Sequence, residues 1–198
     1  MDEYLQIVDK ISALTPRVKI SALNSLDEQI FLNMTKESLE LYAPWVFPPR
    51  DPAAFQELLK RNTQDNFETV VVRPIENQEI IGIFNLSQIF YHDFKNTILG
   101  VYANVDYQGQ GLMREGLLQA VAYVFFKLKL HRIEANIMCE NQRSIKFFKN
   151  FGFRHEGMSK NYLYINGAWR DHDKFALTIE DWENILLNFK QAKHAKSD

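Results

Sequence analysis

The chain has 198 residues, which suits one compact domain, or one domain with a small appendage, and is short for two independent cores. Its composition, 46% hydrophobic and 24% charged with 8 Gly and 6 Pro, excludes disordered, collagen-like and low-complexity classes. The 23 basic and 25 acidic residues leave a formal charge of −2, so there is no global basic field for nucleic acid and any anion must be held by a local device.

Met1-Asp2-Glu3-Tyr4 opens with acids where a secretory leader carries bases. Tyr4, Ile7, Val8 and Ile11 fit a short amphipathic helix, and Arg17 to Leu23 alternates polar and apolar residues as a half-buried strand does. Asn24 or Ser25 then caps a helix carrying Ile30, Phe31, Met34 and Leu39. The stretch Ala43 to Pro49 reads as a rigid loop, because each proline fixes its own φ and restrains the residue before it. Asp51 caps the next helix, with Pro52 in its first turn.

The centre reads as strands at Phe67 to Val72, Glu79 to Phe90 and Thr97 to Val105, with Glu76-Asn77-Gln78 turning between the first two. A helix from Leu112 to Leu130, a strand from Arg132 to Met138 and a helix from Asn141 to Asn150 follow. Asn166-Gly167 then joins Tyr162 to Ile165 with Ala168 to Leu177 as a hairpin, since both turn residues tolerate positive φ. The expected class is α/β or α+β with a mixed, mostly antiparallel sheet, in one domain over residues 1–198 with a recognisable core at about 17–180. Residues 181–198 form a C-terminal helix and tail. The apolar run Ala120 to Phe126 is far short of the roughly 18 to 20 residues that span a bilayer, so a cytoplasmic protein with no membrane contact is expected.

The segment Asp106-Tyr107-Gln108-Gly109-Gln110-Gly111-Leu112-Met113-Arg114 follows a strand and opens the long helix. Two glycines let the backbone approach a ligand, and the first helix N–H groups converge where the macrodipole favours an anion. Taken alone, a tight strand-to-helix turn explains the glycines equally well. The Lys and Ser/Thr of a P-loop are missing, and Arg114 stands where a dinucleotide fingerprint has its third glycine. The lone Cys139 excludes a disulfide within the chain and a cysteine-built zinc site, and His92, His131, His155 and His194 lack ligand spacing, so no metal is expected.

In this segment the sequence resembles the GNAT superfamily of acetyl-CoA-dependent N-acetyltransferases, whose Gln/Arg-x-x-Gly-x-Gly/Ala signature is matched by Gln108, Gly111 and, imperfectly, Met113. Met113 is similar to one branch, the ribosomal-protein-alanine N-acetyltransferases. Further matches run in order through Leu130 to Ala135, Glu140 to Ser144, Asn150-Phe151-Gly152-Phe153, Glu156-Gly157 and Tyr162 to His172. The likeness covers about residues 67–180 strongly and 17–66 more loosely.

The resemblance implies a sheet splayed between its fourth and fifth strands, with pantetheine in the gap paired to the backbone of Ala103, Asn104 and Val105. It implies amides of Gly109, Gln110, Gly111, Leu112, Met113 and Arg114 around the pyrophosphate, and Asn141 on the pantetheine arm. Asn141 is equally a plain helix cap, and both roles are compatible. The positions where relatives often hold a basic Glu and an acidic Tyr are Asn136 and Phe148 here, and neither exchanges a proton usefully. Ser144 is the acid candidate, against a helix-capping role. Glu134 is the named base candidate, against a structural carboxylate paired with a basic residue; His172 and Tyr164 are weaker ones.

With no evident base, a weakly basic acceptor is favoured: about one α-amine in seven is neutral at pH 7, against roughly one lysine in 2,000. The leading expectation is direct acetyl transfer from acetyl-CoA to a protein N-terminus by a monomer or homodimer. Its rivals are a small-amine acetyltransferase (amino acid, polyamine or antibiotic) and a catalytically silent acetyl-CoA-binding module.

Overall fold

A computed structural model describes residues 3–194. Met1, Asp2 and the end of the expected C-terminal tail, 195–198, lie outside the described residues. The elements run α1 (Glu3–Leu14), β1 (Val18–Ala22), α2 (Glu28–Glu37), α3 (Leu39–Tyr42), α4 (Pro52–Arg61), β2 (Phe67–Pro74), β3 (Gly82–Phe90) and β4 (Asn96–Ala103). Then come α5 (Leu112–Ala122), β5 (Arg132–Met138), α6 (Gln142–Phe151), β6 (Arg154–Ile165), β7 (Ala168–Thr178) and α7 (Trp182–His194). The strands make one 7-stranded sheet in the order β1-β2-β3-β4-β5-β7-β6. Every neighbouring pair is antiparallel except β4 with β5, so the expected mixed, mostly antiparallel sheet flanked by helices is present.

Strand alternation explains the central packing. Val70 and Val72 turn toward α5, joining Phe84, Leu117 and Val121, while Val71 turns to the opposite face with Phe31, Phe55 and Ile83. Helices cover both faces, so β2 reads as a continuous apolar run. Helix α5 lies so close to β2 that a Cβ on Gly116 would sit 2.5 Å from a Val72 methyl, which accounts for a glycine inside a helix. Next to Val72, the buried Arg73 guanidinium donates to Asp27 (2.6 Å), Ser21 Oγ (2.9 Å) and the Gln78 carbonyl (2.7 Å). Asp27 completes a capping box with Asn24, so this cluster pins the turn that launches α2 and α3 onto the sheet.

The boundaries differ from expectation where a side chain redirects the backbone. Asn24, not Ser25, is the cap, and Leu39 opens a separate short helix. Strand β4 stops at Ala103 because the Asn104 side chain accepts the Asp106 N–H (3.0 Å) and donates to the Ile80 carbonyl (2.9 Å), bending the chain into a 3₁₀ turn. Helix α5 is regular only to Ala122; its end widens into a π-turn over Tyr123–Lys127, where Leu128 N–H reaches back to the Tyr123 carbonyl (3.0 Å). Strand β6 begins at Arg154, not Tyr162, and breaks register near Gly157 and Asn161, the irregularity common on an edge strand. Asn166 and Gly167 both take positive φ (51° and 79°), as the hairpin reading required.

Candidate active site

The parallel pairing of β4 with β5 holds at Asn96↔Arg132, Thr97↔Ile133 and Ile98↔Glu134 and then ends, although both strands continue. Beyond that point the sheet opens. The Asn104 N–H donates to Ile81 (2.9 Å) and the Val105 N–H to Ser38 Oγ (3.0 Å), so both amides are engaged inside the protein. Since backbone groups alternate between the two edges of a strand, Val101 and Ala103 are the positions that present theirs to the gap. The Ala103 carbonyl accepts there from the buried Tyr42 hydroxyl at 2.8 Å, and burial pushes that hydroxyl up to about 12.

Two cavities meet in this opening. The larger, about 450 Å³, runs past Tyr42, Met113, Arg143 and Phe147; the smaller, about 150 Å³, extends toward Asn136, Leu163 and His172. Trp45, Val46, Val101, Asn141, Ser144 and Phe148 line both, so Asn141 and Ser144 stand where the two join.

The glycine-rich segment lies at the N-terminus of α5. Gly109 and Gly111 both have φ of 77°, in the left-handed region that favours glycine. Gly111 is the helix cap, and among the described residues the amides of Leu112 and Met113 precede the first intrahelical bond, from Arg114 N–H to the Gly111 carbonyl (3.1 Å). Arg114 is turned inward: its guanidinium lies 3.6 Å from the Phe189 ring centre, and burial lowers its pKa. The charge beside the loop comes from Arg17, which donates to the Gln110 carbonyl (3.2 Å) and to Glu115 (2.7 Å). Met113 fits its position because β3 offers Gly82 there, where any Cβ would meet the Met113 sulfur at 2.6 Å. Unengaged amides at a helix start with a guanidinium beside them are an arrangement that suits an anionic, phosphate-like group.

Asn141 caps α6 by accepting the Ser144 N–H (3.1 Å) while lining both cavities. With its amide oriented by the hydrogen-bond network, Gln108 accepts from Arg143 at 2.7 and 3.1 Å, which links the loop to α6. Glu134 lies elsewhere. It occupies the last paired β4/β5 position, its carboxylate accepts from Arg132 (2.9 Å), and it lines neither cavity. Burial, with the carboxylates of Asp173, Glu140 and Asp171, raises the Cys139 thiol, which keeps it a poor nucleophile. Among the described residues no group of His, Cys, Asp or Glu is placed to hold a metal ion, and no helix is long and apolar enough to cross a membrane.

Sequence reasoning missed Arg17, Tyr42 and Met113's partner Gly82. The period-2 reading of β1 carried no sign that Arg17 reaches the loop 93 residues ahead.

The comparisons agree with this geometry. Residues 17–154 match the family described as the acetyltransferase (GNAT) domain. The chain is 32% identical over 188 residues to the ribosomal protein uS5-alanine N-acetyltransferase of Escherichia coli (strain K12), covering 90% of this chain and 96% of that protein. The crystal structure of a ribosomal-protein-S5-alanine acetyltransferase from Vibrio fischeri superposes with a TM-score of 0.71 at 30% identity, covering 84% and 95% of the two chains. The spermidine N-acetyltransferase of Vibrio cholerae, solved with CoA and spermine, shares the fold at a TM-score of 0.73 and 21% identity, covering 85% and 99%. A split parallel strand pair, a glycine-capped helix beside it and a family match through both are what the sequence likeness implied, and the chain belongs to the GNAT acetyltransferase family, as an N-acetyltransferase that moves an acetyl group to an amine.

Proposed function

We propose that the protein acetylates the N-terminal α-amine of a protein, of the kind its ribosomal-protein relatives are named for, in the cytoplasm. The observation that carries this reading is the chemistry of the smaller cavity. Its walls are apolar (Leu99, Val101, Ile137, Met138, Leu163 and Ile165), its polar groups are Asn136, Asn141, Ser144 and His172, and no Asp or Glu lines it. A polyamine carries several charges that call for carboxylates, whereas a small apolar first residue with one weakly basic amine suits such a cavity.

Acetyl-CoA, when bound, supplies the activated acetyl group. The residues present fit it: the cradle of Gly109 to Arg114 with Arg17 for the pyrophosphate, the Val101–Ala103 edge for the pantetheine amides, and Asn141 at the turn into the smaller cavity. Ser144 lines both cavities, and its hydroxyl is the group we assign as proton donor to the leaving thiolate. The apolar walls exclude water, which strengthens every polar contact made inside.

The test is a transfer assay with labelled acetyl-CoA on three acceptors: a peptide beginning with alanine, the same peptide blocked at its N-terminus but carrying an internal lysine, and spermidine. The free N-terminus is expected to react best. Equal reaction of the blocked peptide overturns the α-amine reading, and reaction of spermidine alone replaces it with a small-amine function. Acetyl-CoA binding with no turnover on any acceptor makes the protein a silent binding module.

A further inference from the structure

Two lone-pair acceptors in the smaller cavity have no donor. The Asn136 Oδ1 is buried and unpartnered among the described residues, while its Nδ2 makes only a long contact, 3.4 Å, to the Tyr162 hydroxyl. The second is on His172, which is 2% exposed. Its Nδ1 lies 2.9 Å from the Arg170 carbonyl, and a carbonyl only accepts, so Nδ1 carries the proton of the neutral ring and Nε2 keeps the lone pair. Nε2 has no hydrogen bond among the described residues. Buried polar atoms in native proteins are nearly always paired, so the enclosed Asn136 Oδ1 calls for a donor, while the His172 Nε2, which is not fully enclosed, keeps its lone pair open on a residue lining the same cavity.

The register places them together. Met138 faces His172 and Asn136 faces Lys174 across β5 and β7, so Asn136 and His172 are diagonal neighbours on one face, with Cα atoms about 7–8 Å apart. Tyr162 joins them, with its hydroxyl on Asn136 and its ring edge-on to His172 at 5.5 Å between centres. A primary amine carries N–H groups enough for both acceptors.

We propose that His172 is the general base of the transfer, and that Asn136 Oδ1 aims the acceptor nitrogen by accepting a second N–H. This rests on the reading that the smaller cavity holds the acceptor amine. As the new N–C bond forms to the acetyl carbon, His172 Nε2 takes the proton the nitrogen loses. The C–S bond breaks, and Ser144 Oγ–H gives its proton to the departing thiolate sulfur. The proton on His172 then returns through water to Ser144, so the protein ends as it began, with amide and free thiol as products.

The ionisable groups around His172 are the Tyr162 phenol from β6 and, 4.3 Å behind that ring, the Lys174 ammonium of β7. Strand β5 and helix α6 present Asn136, Met138, Ser144 and Phe148, none of them charged. Asp171 and Asp173 flank His172 in sequence but bond to the Asn161 N–H (2.8 Å) and to His155 (2.8 Å).

His172→Asn tests the assignment, because asparagine retains a donor for the Arg170 carbonyl and lacks Nε2. It is expected to lower kcat by roughly 10²- to 10⁴-fold with acetyl-CoA affinity unchanged, and to remove one of the two inflections on the acid side of the kcat/KM profile, leaving only the rise due to the acceptor amine. A kcat within about threefold of wild type overturns it. A reading independent of that variant is long-range ¹⁵N NMR of the wild-type imidazoles. The Nδ1–H tautomer is expected at His172, with Nε2 shifting when alaninamide is added to the CoA-loaded protein. An Nε2–H tautomer, or no shift, overturns the proposal. The two readings fail separately. If that inflection is lost with spermidine as the only working acceptor, the protein N-terminus falls and the base stands. If His172→Asn acetylates the peptide as well as wild type, the base falls and the acceptor stands.

Discussion

The glycine-rich loop proposed to hold the pyrophosphate and the cavity proposed to hold the acceptor amine are built from different materials. The loop is one stretch, Gln108 to Glu115, and its working parts are backbone amides, two positive-φ glycines and a helix end. The cavity takes side chains from Trp45 in a loop, Val101 on β4, Asn136 on β5, Ser144 on α6, Leu163 on β6 and His172 on β7. Main-chain chemistry tolerates drift in side chains, so a local pattern carries it. Side-chain chemistry depends on which strands pair, and no local pattern contains that.

Breaking the cradle gives the largest expected effect. Gly111→Val forces a β-branched residue into φ of 77° at the helix cap, and acetyl-CoA binding should fall below detection by calorimetry. The rise in Tm expected of the wild type with acetyl-CoA, corresponding to about 2.7 kcal/mol of stabilisation at 100 times Kd, should vanish with it.

The next effect separates the two regions by stability. Arg73→Met leaves Asp27 buried without its partner and should destabilise the fold by about 3–5 kcal/mol in chemical denaturation. Because that pair pins the turn leading to α2 and α3, the wall carrying Tyr42 and Trp45 should become susceptible to proteolysis before the cradle does.

Ser144→Ala sharpens the contrast from the acceptor side, since it touches the junction of the cavities and not the cradle. A fall in kcat of roughly 10²-fold with unchanged acetyl-CoA affinity is expected, while an unchanged kcat would leave the hydroxyl with no role in the transfer.

The smallest effect is alkaline. Tyr42 is held neutral by burial with its pKa pushed up to about 12, against an ordinary value near 10. A group whose folded pKa is raised contributes stability that is fully present below the unfolded value and is lost as pH rises through the folded one. The wild-type Tm should therefore drop between about pH 10 and 12 more steeply than that of Tyr42→Phe, which should itself be less stable by about 1 kcal/mol at neutral pH for want of the bond to Ala103.

The boundaries missed by pattern reading share a cause. Asn104 looks like one more strand residue, yet its side chain bonds to Ile80, 24 positions earlier, and ends β4. Glu134 and Asn136 share a strand face, and alternation cannot say that one lies where the strands are still paired and the other where they have parted. The Asp171-His172 pair was visible as part of the family likeness, but the value of His172 depends on which of its nitrogens the Arg170 carbonyl engages.

The sequence by itself determined the element order, the hairpin at Asn166-Gly167, the cap at Asp51 and the glycine turn that opens α5, because each is set by φ, period or a bond spanning a few residues. Only the tertiary structure decided that Arg17 reaches that turn, that Gly82 makes room for Met113, that the β4/β5 pairing stops after Ile98 and Glu134, and that Asn136, Ser144 and His172 line one cavity. Those relations join residues up to 98 positions apart, as Arg17 and Glu115 do, and they exist only once the sheet has chosen its partners and its register.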